Sequence, residues 1–119
     1  MILRILKNLN PNGSSMERCE KIGNFLGKLA KDQRIGVYHL VMMLAILNKW
    51  QYRGTAGVLM MSRRTLMQVT KIRSIATYHK YLKELQEFGY VEYFASYHPR
   101  LGSGFFINFE VNKDMVTEV

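Results

Sequence analysis

Residues 74–93 read SIATYHKYLKELQEFGYVEY, and this stretch decides the fold. Its spacing predicts a helix over 74–88 that stops at Gly89 and passes at once into a strand. Ser74 suits the N-cap, because its hydroxyl accepts from the free N–H groups of the first turn. Tyr78, Leu82 and Leu85 recur at i, i+4 and i+7, and Tyr81 and Phe88 widen this apolar stripe. Gly89 can adopt the left-handed conformation that closes a helix without a Cβ penalty. Tyr90, Val91, Tyr93 and Phe94 then have the β-branched or aromatic character that strands prefer. The face opposite the stripe carries Ala76, His79, Lys80, Lys83 and Glu87, small at its start and basic through its middle. An ordinary surface helix shows the same pattern, so the flanking chain has to decide what this one does.

Immediately upstream, Ser62 caps a short helix running from Arg63 to Val69, with Leu66, Met67 and Val69 facing a core. Residues 70–73 connect it tightly to Ser74, so two capped helices stand in helix-turn-helix order. Downstream, a strand over 90–97 meets residues 98–104, where Pro99, Gly102 and Gly104 interrupt pairing. Phe105, Ile107, Phe109 and Val111 then alternate with Phe106, Asn108 and Glu110, a period-two strand that completes a β-hairpin. Further upstream, residues 58–61 (VLMM) form a short apolar strand after a loop over 52–57. Residues 37–51 form a helix apolar nearly all round, which needs cover on both sides. Its Met42 and Met43 offer adaptable packing groups for a homodimer seam. A turn at 32–36 separates it from a helix over 14–31, opened by the capping-box spacing of Ser14 and Glu17. Met16, Cys19, Ile22, Leu26 and Leu29 mark the apolar stripe of that helix. Residues 1–13 read as a flexible N-terminal segment, and 14–119 as a single domain. The fold class is mainly α with a small β-hairpin (α+β), in the element order of a winged helix-turn-helix with an extra N-terminal helix.

The 119 residues suffice for one domain with a core, and an apolar content of 48% argues against disorder. Net charge is +8 and the pI about 9.8, which points to an anionic partner. The arrangement of charge says more than its total. Between Gln33 and Lys83 stand Arg34, Lys49, Arg53, Arg63, Arg64, Lys71, Arg73, Lys80 and Lys83, without one Asp or Glu. A solubilising surface mixes its signs; a long block of one sign makes a field suited to nucleic acid. The lone Cys19 excludes an internal disulfide and fits a reducing compartment. No run reaches the ~18 apolar residues of a membrane span. The N-terminal MILRILKNL is too short for a signal sequence, and a cytoplasmic location is expected.

Residues 60–109 resemble the winged helix-turn-helix DNA-binding proteins of bacteria. The block YHKYLKELQEFGYVEY is similar to their helix-to-wing junction, where a Lys-Glu-Leu run precedes glycine and an apolar strand. A more specific resemblance, over 34–109, is to small transcriptional regulators carried on integrated or conjugative elements. It rests on Arg34-Ile35-Gly36, on ATYHKYLKELQEFGY and on Ser96-Tyr97-His98-Pro99. The resemblance implies double-stranded DNA binding and transcription regulation, with helix 74–88 in the major groove and a wing over 97–105 on adjacent backbone or minor groove. The chain departs from the common pattern at Ile75, apolar where such regulators often carry a polar base reader.

In that geometry the N-terminal residues of the helix come nearest the base edges. Arg73, Ser74, Ala76 and Thr77 are the candidate readers, with Lys80 next: arginine pairs with guanine, and the methyls of Ala76 and Thr77 can touch thymine. His79, at the boundary of the stripe, reads either as a DNA contact or as a group that packs or bonds within the domain. Lys83, Arg63, Arg64 and Lys71 are candidates for phosphate, and His98, Arg100 and Ser103 for the wing tip. His39 reads as a satisfied core residue rather than a ligand. His39, His79 and His98 have no metal-ligand spacing with each other or with Cys19. Glu84, Glu87 and Glu92 read as surface charges, and no catalytic motif is present, so neither enzyme activity nor a cofactor is expected. Two alternatives stay open: a replication-initiation or excision factor of a mobile element, and a protein–protein interaction module that does not bind DNA.

Overall fold

The computed structural model describes residues 15–53, 58–95 and 102–111. Within them the order is α1 (Ser15–Lys31), α2 (Val37–Arg53), β1 (Val58–Met61), α3 (Arg63–Thr70), α4 (Ile75–Glu87), β2 (Val91–Phe94) and β3 (Ser103–Ile107). The fold is α+β: mainly helical, with one small antiparallel sheet. That sheet is larger than the expected hairpin. β3 lies between β1 and β2, so the VLMM strand is its third member. Leu59 faces Phe105, which in turn faces Tyr93, and Met61 faces Ser103. The pleat sends Leu59, Met61, Val91, Phe105 and Ile107 into the core and leaves Val58, Met60, Phe94 and Phe106 outside.

Central to the packing is α2, which α1, α3, α4 and β1 all contact. These contacts cover most of the helix, while Val37, Tyr38 and Leu44 stay exposed along it. Met42 and Met43 are both 0% exposed, enclosed by the chain's own elements, so they are not available as a dimer seam. The stripe of α1 is also rotated from its expected place. Phe25 and Leu29 are buried and Ile22 and Leu26 partly so, whereas Met16 is 71% exposed and Cys19 lies on the surface. Arg18, outside the expected stripe, instead faces α2. Its guanidinium lies 5.4 Å from the centre of the Trp50 ring and donates to the Gln51 carbonyl at 2.6 Å. Ser14 and residues 1–13 lie outside the described residues.

The turn between α1 and α2 is closed by a buried carboxylate. Asp32 accepts from Arg34 Nε at 2.9 Å, Arg34 Nη2 at 2.7 Å, the Arg34 backbone N–H at 3.0 Å and the Tyr90 hydroxyl at 2.7 Å. Burial alone would raise its pKa, but these hydrogen bonds outweigh burial and hold it at about 2, against the ordinary 3.8. The Arg34 guanidinium lies 4.2 Å from the centre of the Phe88 ring. The knot thus ties the first turn of the domain to the end of α4. Nearby, His39 is buried as expected, and its Nδ1 accepts from the Gly36 N–H at 2.8 Å. The ring proton therefore sits on Nε2, which donates to Glu84 at 2.8 Å. Glu84 is accordingly not a free surface charge; it is drawn half-buried against α2.

α4 ends as its sequence predicts. Gly89 has φ 87°, its N–H bonds to the Gln86 carbonyl, and the Tyr90 N–H bonds back to Leu85. That pair of bonds satisfies two carbonyls of the last turn. Both hairpin strands are shorter than their patterns suggest. β2 ends at Phe94, and residues 96–101 lie outside the described residues. β3 ends at Ile107: the Asn108 N–H still bonds the Tyr90 carbonyl opposite it, but the Glu110 N–H bonds the Asn108 side chain and the Val111 N–H its carbonyl, which turns the chain away. Phe109 and Val111 therefore reach the core from a turn rather than a strand. The Phe109 ring packs on Phe25 and Trp50, and its carbonyl accepts from Lys28 at 3.0 Å. At the other end of β3, Gly102 has φ 74°, and a Cβ there would come within 2.7 Å of the Ser62 nitrogen. Only glycine fits where the strand enters against the start of α3.

Candidate nucleic-acid interface

The arrangement of α3 and α4 follows from their caps. The Ser62 hydroxyl accepts from the Thr65 N–H at 3.0 Å, which starts α3 so that Arg63 and Arg64 stand exposed in its first turn. α3 closes at Thr70, whose hydroxyl donates to the Leu66 carbonyl at 2.7 Å. Lys71 follows with φ 65°, in the left-handed region. Among the described residues it is the one non-glycine with positive φ, held where glycine or asparagine would be less strained. This reversal carries the chain through Ile72, which is buried, to Arg73 and the second cap. There the Ser74 hydroxyl accepts from the Thr77 N–H at 3.2 Å.

These features open a cleft of about 690 Å³ at the α3–α4 junction, lined by Arg63, Arg64, Met67, Gln68, Lys71, Ile72, Arg73 and Ile75. Arg63, Arg64, Lys71 and Arg73 are all exposed, and among the described residues none pairs with an acid. Four cations left without counter-charges around one concavity make a strong positive field. Beside the cleft, Ala76, His79, Lys80 and Lys83 share the exposed side of α4, opposite the buried Tyr78, Leu82 and Leu85. Lys80 lies 5.2 Å from the centre of the Tyr81 ring, and Lys83 is 3.9 Å from Glu87. The last pair is exposed on both sides and holds neither partner firmly.

The fold therefore gathers Arg63, Arg64, Lys71 and Arg73 around the cleft and leaves Ser74, Ala76, His79, Lys80 and Lys83 exposed at the cap and along α4. Thr77 is half-buried beside them, its N–H taken by the cap. Ser103 is not at a tip. It is the first residue of β3, half-buried, with its hydroxyl 2.9 Å from that of Tyr93, because β-pairing with Met61 begins there. His98 and Arg100 lie outside the described residues. The sequence reading did not include Met67, Gln68, Ile72 and Ile75 in the site. The legible signal was Ile75: it directly follows the cap, before the core stripe begins at Tyr78, and is 52% exposed.

Behind this surface the Tyr78 hydroxyl is buried with no hydrogen-bond partner among the described residues. Burial, with a smaller contribution from Tyr93, pushes its pKa up to about 12 against the opposing charge of Arg63. The described residues contain no group of three or more side chains able to hold a metal ion, and no helix long and apolar enough to cross a membrane. The chain matches no known protein family, no curated protein and no solved structure.

Proposed function

We propose that the chain is a winged-helix protein that binds double-stranded DNA, with α4 in the major groove and the segment 97–105 beside it, and that it regulates transcription. One observation carries the DNA-binding reading: Arg63, Arg64, Lys71 and Arg73 surround a single cleft with no acid paired to them among the described residues. The strain at Lys71 supports it. A lysine kept in a left-handed conformation at φ 65° sacrifices backbone stability to place a cation at the junction. The small exposed residue Ala76 near the start of α4 allows close approach to base edges, and the cations to either side suit the two phosphate walls of the groove. The order of elements and the β1-β3-β2 sheet agree with a winged helix. The regulatory role rests on the sequence resemblance.

The test is binding to a random duplex across a salt series. Wild type should give a steep fall of log K with log salt. The double variant Arg63→Ala/Arg64→Ala should lower that slope by about 1.8, and Lys71→Gly by about 0.9. Lys71→Gly should also raise folding stability by about 1 kcal/mol, since glycine relieves the left-handed strain. Affinity and stability moving in opposite directions would separate a contact residue from a structural one. No binding at low salt would sink the proposal, and unchanged slopes would move DNA off this surface.

A further inference from the structure

Part of the cleft lining is apolar, and phosphate has no use for that. Met67 lies partly buried, Ile72 is buried, and Ile75 is 52% exposed at the first position of α4. Isolated surface hydrophobics are ordinary, but these three line the same concavity as four cations. Polar side chains at Ile75 and Met67 would serve a phosphate-binding surface better, since they would hydrate in the free protein and donate in the complex. Within the major groove the one apolar group on a base edge is the C5-methyl of thymine. Apolar side chains and cations sharing one concavity thus complement a thymine edge flanked by phosphates.

Resting on the DNA-binding reading, we infer that Ile75, which lines the cleft with Met67 and Ile72, is a specificity-determining residue that reads thymine through its methyl group. The protein's preferred duplex then carries an A·T pair facing the start of α4. Arg73, next to Ile75 across the Ser74 cap, supplies a neighbouring contact that is polar and insensitive to that methyl. Removing the methyl that faces Ile75 should therefore weaken binding through Ile75, whereas a thymine facing Ala76 or Thr77 would stand at another position of the site and keep its sensitivity in an Ile75 variant.

The experiment begins by selecting bound duplexes from a random library with the full chain. Each thymine of the selected site is then replaced singly by deoxyuridine, which removes only the methyl. At one position the wild type should lose about four-fold in affinity, the worth of one methyl taken out of water. For Ile75→Ala, the same replacement should leave affinity unchanged. Arg64→Ala should bind both duplexes more weakly by a common factor and keep the four-fold difference. Ile75 is a surface residue, so its truncation leaves the core intact; equal circular dichroism and melting of variant and wild type check this. The inference is overturned if no deoxyuridine substitution matters, if Ile75→Ala keeps the full sensitivity at every position, or if the selected site holds no thymine. In those outcomes duplex binding itself persists, so the DNA reading survives. Absence of binding to every duplex at low salt removes both.

Discussion

Tyr78 and Asp32 are two buried polar side chains with opposite fates. The Tyr78 ring fills the core beneath α4 while its hydroxyl has no partner among the described residues. Such a group forfeits its hydration without recovering a hydrogen bond, a loss of about 1–3 kcal/mol. Tyr78→Phe should therefore leave the fold unchanged and raise stability by about 1 kcal/mol, read as a higher urea midpoint at unchanged slope. A marked loss instead would mean that the hydroxyl is bonded in solution. Asp32, by contrast, has its oxygens engaged by Arg34 and Tyr90. Its folded pKa of about 2 lies below the ordinary 3.8, so its stabilisation is complete above the higher value and disappears as pH falls from there through about 2. The difference corresponds to about 2 kcal/mol for this buried group. Acid titration of Asp32→Asn should show lower stability than wild type at pH 6 and a gap that closes by pH 2; parallel curves would refute the account. Neither fate was legible in the sequence. Asp32 reads as a turn residue, and its tie to Tyr90 joins positions that only the folded chain makes neighbours.

The helices of the interface were legible as elements because their signals are local. Ser62, Ser74 and Gly89 act on backbone groups within a turn of themselves, and each does what its position predicts. Elements whose definition depends on distant partners were read less well. In α1 the face toward α2 includes Arg18, whose charged end hides its apolar stem from a hydropathy pattern; its contact with Trp50 exists only once α2 is in place. The alternation that runs through Phe109 and Val111 describes burial correctly and strand length incorrectly, because Glu110 and Val111 fold back onto Asn108 in a turn. For β1, four residues of VLMM carry no register, and its partner lies beyond two helices. At Gly104 a Cβ would make only ordinary van der Waals contacts with Met60, Phe94 and Val58, at 3.5–3.6 Å, so this pairing does not itself require glycine.

At the scale of the whole molecule, the acid-free block from Gln33 to Lys83 announces a positive field but not its shape. Folding divides those charges: Arg34 is spent on Asp32, whereas Arg63, Arg64, Lys71 and Arg73 gather around one cleft. The cations could be listed from the sequence; the apolar groups that share their cleft depend on how α3 meets α4. That meeting depends in turn on the order β1-β3-β2, and the order has a kinetic side. The segment closed by β1 and β3 is about five times as long as that between β2 and β3, so its closure is costlier by about 1.4 kcal/mol of chain entropy. The hairpin should therefore form early and β1 dock late, after the rate-limiting barrier. Leu59→Ala, in the buried face of β1, should leave the folding arm of a chevron plot nearly unmoved and speed unfolding about 30-fold for each 2 kcal/mol lost. A matching slow-down of folding would put β1 in the nucleus instead. With β1 docking last, the chain entering α3 is the last part to be tethered, and the cleft takes shape only at the end of folding.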